Sequence, residues 1–195
     1  MGSNITLGVV YDNTYKENIA LYLESIVNFI QVNSGEIINV KFSLDEDGEE
    51  WISKNGEDGL GKPVYELLTQ YYYGEINMKS RIFEANQQEI NISIEMTNDF
   101  FGFLIDFNEE ELIHVLSLDD IEDRIIDFVT ESFNILQFGY AFCDHEAELE
   151  LPPCEIATYK EELYSLLFIP SNKNQSAEIE IRKGSWKLDG LTGRS

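Results

Sequence analysis

The strongest constraint on the fold is an alternation of apolar and polar residues in the middle of the chain. Three neighbouring segments carry it between residues 76 and 107: INMKSRIFEA, QEINISIEMT and FFGFLIDF. In the second segment, Ile90 and Ile92 alternate with Asn91 and Ser93. A period of two residues places apolar side chains on one face of a strand and polar side chains on the other. The pattern therefore predicts an antiparallel meander with one buried face.

The N-terminal part of the chain predicts a strand, a helix and a second strand. Residues 5–11 alternate as a first strand. Residues 15–33 repeat apolar side chains at intervals of three and four, which gives a helix one apolar face. Residues 38–44 alternate as a second strand. This order predicts a β-α-β start.

The C-terminal half adds helices and short strands. A long helix is predicted at residues 117–137, with Ser117 as a candidate N-cap. FGYAFC predicts a strand, residues 155–168 a third helix, and AEIEIRK a late strand. A chain of this length suits one core. We predict a single α+β domain over residues 1–195, with a β-α-β start, an antiparallel meander, and a central sheet that carries two or three packed helices.

The charge of the chain restricts its partners. It has 37 acidic and 13 basic residues, a formal net charge of −24. Between residues 106 and 162 there are 17 acidic residues and two basic ones, and 17 minus 2 leaves a local charge of −15. Nucleic acid and anionic membranes are poor partners for such a field, whereas a basic protein or metal cations suit it. Because 43% of the residues are hydrophobic, the chain is not an acidic disordered segment.

Residues 45–62 predict a flexible acidic loop. Its sequence GEDGLGKP comes close to a phosphate-binding loop, but Pro63 stands where that loop needs a hydroxyl for Mg²⁺. Glu57 and Asp58 would also repel a phosphate. The stretch DEDGEE is similar to a calcium loop, but Lys54 falls at the twelfth position, where a carboxylate is required. We therefore predict neither a nucleotide site nor a dedicated calcium site here.

The segment AFCDHEAELELPPC places Cys143, His145 and Cys154 close together. A structural zinc site needs four ligands, and the second half of a recognisable zinc spacing is missing. A cysteine nucleophile needs a histidine base, and the one other histidine, His114, lies in no recognisable pattern. We predict no metal, no cofactor and no catalysis. The rival class is an enzyme that uses scattered carboxylates, with a metal at Cys143 and His145.

The sequence shows no recognisable membrane-spanning or secretory signal. No stretch approaches the roughly 20 apolar residues of a membrane-spanning helix. The first residues, MGSNITLGVVYD, have neither the basic region nor the long apolar run of a secretory signal. Two cysteines make no disulfide framework. We expect a cytoplasmic protein.

Three segments of the chain resemble the immunity proteins of bacterial polymorphic toxin systems: GVVYDNTYKENI, FGYAFCDHEAELE and SWKLDGLTGRS. That family consists of small acidic α+β proteins. The resemblance implies a cytoplasmic antidote that binds a cognate toxin domain, often a nuclease, and blocks it without catalysis. It carries over no catalytic residue. For Trp186, Asp189, Gly190 and Arg194 in the last segment, it leaves a structural role and an interface role equally open.

The acidity of the chain agrees with a basic toxin domain as the partner. A toxin that cleaves nucleic acid needs a basic cleft, which an acidic protein can occupy after fast, steered association. Acidity alone suits equally well a phage-type mimic of nucleic acid that inhibits a host enzyme. The carboxylates of loop 45–62 are a second choice of contact, because ordering a flexible loop costs entropy. The predicted contacts are seven carboxylates on the long helix and after it: Asp119, Asp120, Glu122, Asp123, Asp144, Glu146 and Glu148.

Overall fold

The computed structural model describes residues 3–45, 47–56, 62–70, 73–83, 87–171 and 178–193. The strands, numbered in chain order, are β1 (Asn4–Asp12), β2 (Glu36–Ser43), β3 (Trp51–Asn55), β4 (Gly74–Ser80), β5 (Gln88–Met96), β6 (Phe100–Asn108), β7 (Tyr140–His145), β8 (Leu166–Ser171) and β9 (Glu178–Lys183). The helices are α1 (Ile19–Val32), α2 (Lys62–Leu68), α3 (Glu109–Ile113), α4 (Leu118–Leu136) and α5 (Pro153–Ile156), and a 3₁₀ helix at Asn13–Asn18 precedes α1.

The nine strands of the described chain form one sheet, in the order β3-β2-β4-β5-β6-β1-β7-β8-β9. Every pairing between neighbours is antiparallel. β1 lies inside the sheet, where Leu7 is opposite Ile105 of β6 and Cys143 of β7. The first strand of the chain therefore takes both of its partners from much later in the sequence.

One face of the sheet packs against α1 and α4 and holds the main hydrophobic core. β1 contributes Leu7 and Val9, α1 contributes Leu23, and α4 contributes Ile121 and Ile125, all of them buried. The apolar stripes that the sequence predicts for these helices are the faces that pack here. The core is therefore continuous from the first strand to the long helix.

The opposite face of the sheet is covered only in part. Phe142 of β7 stacks on Tyr164, with ring centroids 4.0 Å apart and ring planes 12° from parallel. Leu149 and Leu151, on the segment after β7, pack into the same cluster. The strand residues of this cluster come from β1, β6, β7 and β8. On β2, β4 and β5, no described residue belongs to it, so that part of the face is left to polar side chains.

The predicted α+β fold class is wrong. β1 and β2 are not neighbours, because β6, β5 and β4 lie between them, so the β-α-β start is not a unit of the sheet. The described structure is dominated by a nine-stranded antiparallel sheet and has few helices, whereas the prediction was an α+β domain with two or three helices packed on a central sheet. Alternation identifies a strand but does not identify its partner, which is why a local pattern could not place β1.

The helices also differ in part from their predictions. α4 occupies the place of the predicted helix 117–137, and the N-cap at Ser117 is confirmed, since its hydroxyl accepts the N–H of Asp120. The predicted helix 155–168 is wrong, because its last residues form the start of β8, between β7 and β9. A short apolar run fits a buried strand as well as a helix. No helix in the described chain combines the length and apolarity needed to cross a bilayer.

The contact between Gly8 and Phe142 gives a test of the fold. A Cβ on Gly8 would lie 2.2 Å from the Phe142 ring, so Gly8→Ala should lower the free energy of unfolding by about 1 to 3 kcal/mol. Adding Phe142→Leu should recover part of that loss, because it removes the ring that the new methyl group meets. Thermal and urea denaturation of the single and double variants measure this. Strictly additive losses, or a Gly8→Ala protein as stable as the parent, would contradict the packing.

Candidate functional site

Helix α4 presents an acidic surface. Its N-terminus is fixed by a capping box, in which the Ser117 hydroxyl accepts the Asp120 N–H at 3.2 Å and the Asp120 carboxylate accepts the Ser117 N–H at 3.4 Å. The Ser117 hydroxyl also donates to the Asp120 carboxylate at 2.6 Å. This hydrogen bond holds the pKa of the Asp120 carboxyl below its usual range. The helix buries one face in the core and leaves the other to solvent. Asp120 is therefore an ionised, exposed group with a structural task as a cap.

Two of the predicted helix contacts are paired with lysines near the C-terminus. The ammonium group of Lys187 lies 2.6 Å from Asp119, and Lys183 pairs with Glu122. The hydrogen bond and charge of Asp119 raise the pKa of Lys187. These pairs neutralise part of the charge that the sequence assigns to the first turns of α4. A partner would have to compete with the lysines for both carboxylates.

The remaining acids of α4 form an exposed stripe. Asp120 and Asp123, both predicted contacts, are exposed, and so are Asp127 and Glu131 further along the helix. The spacings of three, four and four residues place all four on one side of the helix. We call these four residues the α4 stripe. The same spacing is readable in the sequence, where it would have extended the predicted set to Asp127 and Glu131.

Asp144 is a buried structural residue. It is 2% exposed and accepts hydrogen bonds from the Ser165 hydroxyl at 2.8 Å, the Ser165 N–H at 3.1 Å and the Trp186 indole N–H at 2.8 Å. These bonds connect β7 to the residue before β8 and to the segment after β9. A carboxylate in this position cannot reach a partner at the surface while the fold is intact. The prediction of Asp144 as a contact therefore does not carry over to the structure.

Glu146 and Glu148 are exposed, but they are not part of the α4 stripe. Both follow β7, on the segment whose apolar residues cover the face of the sheet opposite α4. Glu146 has a positive φ of 48°, and its N–H donates to the carbonyl oxygen of Asn4 at 2.9 Å. The structure thus divides the predicted acidic surface between the two faces of the sheet.

The final motif has a clear structural role in its described part. The carboxylate of Asp189 accepts the N–H groups of Leu191 at 3.0 Å and Thr192 at 2.8 Å. Gly190 adopts a positive φ of 66°, as this tight turn requires. The neighbouring Leu188 is 1% exposed and belongs to the main core. Arg194 lies outside the described residues.

The residues weighed for zinc or for catalysis are placed apart. Cys143 is buried in the main core, and burial raises the pKa of its thiol well above the usual value. His145 lies 3.3 Å from the carboxylate of Glu109, whereas Cys154 is exposed on α5. Within the described ranges, no three His, Cys, Asp or Glu residues lie together in a way that could hold a metal ion. Burial therefore keeps the thiol of Cys143 away from solvent.

The segment predicted as a flexible acidic loop contains an organised turn and a strand. Both oxygens of Asp45 accept backbone N–H groups, from Glu49 at 2.9 Å and Glu50 at 2.6 Å. These bonds lower the pKa of the Asp45 carboxyl. β3 follows directly at Trp51–Asn55. Glu46, Glu57 and Asp58, which complete the predicted acidic loop, lie outside the described residues.

A row of polar side chains crosses the uncovered part of the sheet. Asn39 of β2, Asn77 of β4, Asn91 of β5, Asp106 of β6 and Thr6 of β1 are opposite one another in turn. All of them except Thr6 line part of a cavity of about 380 Å³, together with their neighbours. The alternation of Asn91 and Ser93 with isoleucines already predicts a polar face in the sequence. We call the side of the sheet that carries this polar row the open sheet face.

Hydrogen bonds leave this polar row partly unsatisfied. The Asn77 amide donates to Asn39 at 2.9 Å, and the Thr6 hydroxyl donates to Asp106 at 2.7 Å. The buried side-chain oxygen of Asn91 has no donor among the described residues. Burial raises the pKa of the Asp106 carboxyl, although the Thr6 hydrogen bond opposes this shift. The centre of the row is therefore short of hydrogen-bond donors.

Comparison with known proteins identifies a family that the chain matches. A family model described as Immunity protein 64 (Imm64) matches residues 1–194. No curated protein and no solved structure matches the chain. The match covers both faces of the sheet and all the surfaces described above.

Replacement of Asp106 tests the electrostatics of the open sheet face. The folded-state pKa of Asp106 lies above the unfolded one, so the ionised group costs stability that increases as pH rises between those two values. Asp106→Asn keeps an acceptor for Thr6 and adds a donor opposite Asn91. The variant should therefore melt at a higher temperature than the parent at pH 7, with a smaller difference at pH 4.

The control for this comparison is Asp123→Asn, at an exposed position. It should change the melting temperature little at either pH. An Asp106→Asn protein that is less stable than the parent at pH 7, or a difference that does not depend on pH, would contradict the assignment.

Proposed function

Because the chain belongs to the Immunity protein 64 family, we propose that it neutralises a cognate toxin by binding the toxin directly and without catalysis. Membership of an immunity protein family implies a cognate toxin as the partner. The match over residues 1–194 is the observation that carries this proposal. The antidote covers an essential surface of the toxin for as long as the complex lasts.

The proposed contact surface is the α4 stripe. Asp120, Asp123, Asp127 and Glu131 are exposed on one side of a helix that packs firmly on the core. A rigid helix presents its carboxylates with little loss of conformational entropy on binding. Asp119 and Glu122 join the contact if a basic partner displaces Lys187 and Lys183. Glu146 and Glu148 lie after β7 and serve mainly to extend the negative field.

The toxin is proposed to be basic, and a nuclease fits this description best. An enzyme that holds nucleic acid places lysines and arginines around its phosphate-binding cleft. A net charge of −24 attracts such a protein from a distance and orients it before contact. The helix then occupies the cleft in place of the phosphates. The antidote acts in the cytoplasm, where the nucleic acid that it protects is found.

Co-expression with the neighbouring gene tests the function itself. A large secreted protein with a variable C-terminal domain, encoded next to this chain, is the candidate toxin. Its C-terminal domain alone should stop growth, and co-expression with the antidote should restore growth fully. The two proteins should then elute together on gel filtration. Equal killing with and without the antidote, and no complex, would refute the proposal for that toxin.

Charge reversal on the α4 stripe tests the contact surface. Asp123→Lys combined with Asp127→Lys should slow association by about tenfold or more at low salt, because rim charges act mainly on the association rate. The melting temperature should stay within a few degrees of the parent, since both side chains are exposed. Stopped-flow or surface plasmon resonance measurements give the rates.

The matched control reverses two exposed acids outside the stripe, Glu155 and Glu161, and so makes the same change in net charge. If the stripe is the contact, this control slows association less than the stripe variant does. Raising the salt concentration from about 50 to 300 mM should bring the parent and both variants closer together. Equal losses in the stripe variant and the control would mean that only net charge matters.

A further inference from the structure

Two exposed aromatic side chains lie together at a corner of the open sheet face. Trp51 of β3 is opposite Ser43 of β2, and the N–H of Ser43 donates to the carbonyl oxygen of Tyr73 at 2.9 Å. The two rings have centroids 6.4 Å apart and planes 27° from parallel. Trp51 is 44% exposed and Tyr73 is 49% exposed, while Ser43 between them is fully buried. We call this pair the aromatic corner.

The aromatic corner is held in place by the turn before β3. The Trp51 indole N–H donates to the carbonyl oxygen of Gly48 at 2.7 Å. Gly48 has a φ of 69°, and a Cβ placed on it would lie 3.4 Å from the Tyr73 ring. Asp45 fixes the same turn through its two backbone hydrogen bonds. The rings are therefore oriented before any partner arrives, so binding costs little ordering of side chains.

Acidic residues adjoin the aromatic corner along the chain and on β4. Asp47, Glu49 and Glu50 are exposed on the turn that carries Trp51. Glu75 is two residues after Tyr73 on β4, so it points to the same face of the sheet. Lys41 is directly opposite Glu75 on that face. Aromatic faces with acidic neighbours attract cations, through the ring quadrupoles and through charge.

We propose that the aromatic corner binds an arginine-bearing segment of a partner protein. A guanidinium group is planar, stacks on aromatic rings and donates in a fork to carboxylates, so it can use the rings and the acids together. A lysine ammonium is a point charge and gains less from the stacking. This inference goes beyond the toxin contact proposed on α4, which packs on the other face of the sheet, and it stands whether or not α4 touches the toxin.

The surroundings of the corner disfavour other occupants. A second copy of the chain carries the same net charge of −24, and its acids would face these acids. An apolar peptide would strip water from Asp47, Glu49 and Glu50 without supplying a partner for their charges. Only a cation satisfies the rings and the carboxylates at the same time.

Peptide titration followed by NMR tests the inference on the whole chain. The probe is a five-residue peptide with two arginines between glycines, and its matched control carries citrulline, the uncharged analogue, at both positions. The arginine peptide should shift the Trp51 indole N–H signal with a Kd of about 1 mM, while the Trp186 signal stays in place. A lysine version should bind several-fold more weakly, and the citrulline version should not bind.

Two variants test the site, and a third serves as a control. Tyr73→Ala keeps Trp51 as the reporter and should weaken binding about fivefold. Glu49→Gln with Glu50→Gln, which leaves both rings intact, should weaken it by a similar factor. Tyr15→Ala removes a tyrosine that is 47% exposed elsewhere and should change nothing. Equal binding of the citrulline peptide, shifts confined to α4, no loss in either corner variant, or concentration-dependent self-association at Trp51 would each overturn the proposal.

Discussion

The burial of β1 on both faces is the constraint on which the rest of the structure depends. Ile5, Leu7 and Val9 face the helices, while Val10 faces the cluster formed by Phe142 and its neighbours. A strand buried on both sides must lie inside a sheet, with a partner along each edge. β6 and β7 supply those partners, and each comes from a different part of the chain. The two surfaces proposed for binding, the α4 stripe and the aromatic corner, lie on opposite faces of the sheet that is built around β1.

The high negative charge is arranged so that it does not disrupt this core. The carboxylate of Asp144 is buried, and four hydrogen-bond donors satisfy it: the His145 N–H, the Ser165 N–H, the Ser165 hydroxyl and the Trp186 indole N–H. The C-terminal lysines Lys183 and Lys187 reach back to α4 and relieve repulsion at its start. Further along α4, Arg124 offsets part of the charge of Asp120, while Asp123, Asp127 and Glu131 stay exposed to solvent. The exposed carboxylates repel one another, and a positively charged partner that binds to them relieves this repulsion.

The sequence predicted elements better than it predicted their arrangement. Strand alternation in β4, β5 and β6 and the Ser117 cap were readable because each depends on neighbours in the chain. The order of the strands in the sheet could not be read in the same way, since the pairing of β1 with β6 and β7 depends on burial in the core and not on the spacing of residues along the chain. Among the candidate contacts, Asp123 is exposed as expected, but the burial of Asp144 depends on Ser165 and Trp186, which no local pattern connects to it. The aromatic corner was missed for the same reason.

Zero-length cross-linking of the toxin complex with a carbodiimide tests whether the α4 stripe contacts the toxin, because it joins carboxylates to lysines that touch them. Cross-links are expected from Asp120, Asp123, Asp127 or Glu131 to lysines of the toxin, identified by mass spectrometry of the digested complex. Prior addition of about 0.5 M salt should reduce them. A neutralised toxin whose cross-links come only from acids outside the α4 stripe, such as Glu155 and Glu161, would show that the stripe is not the contact surface.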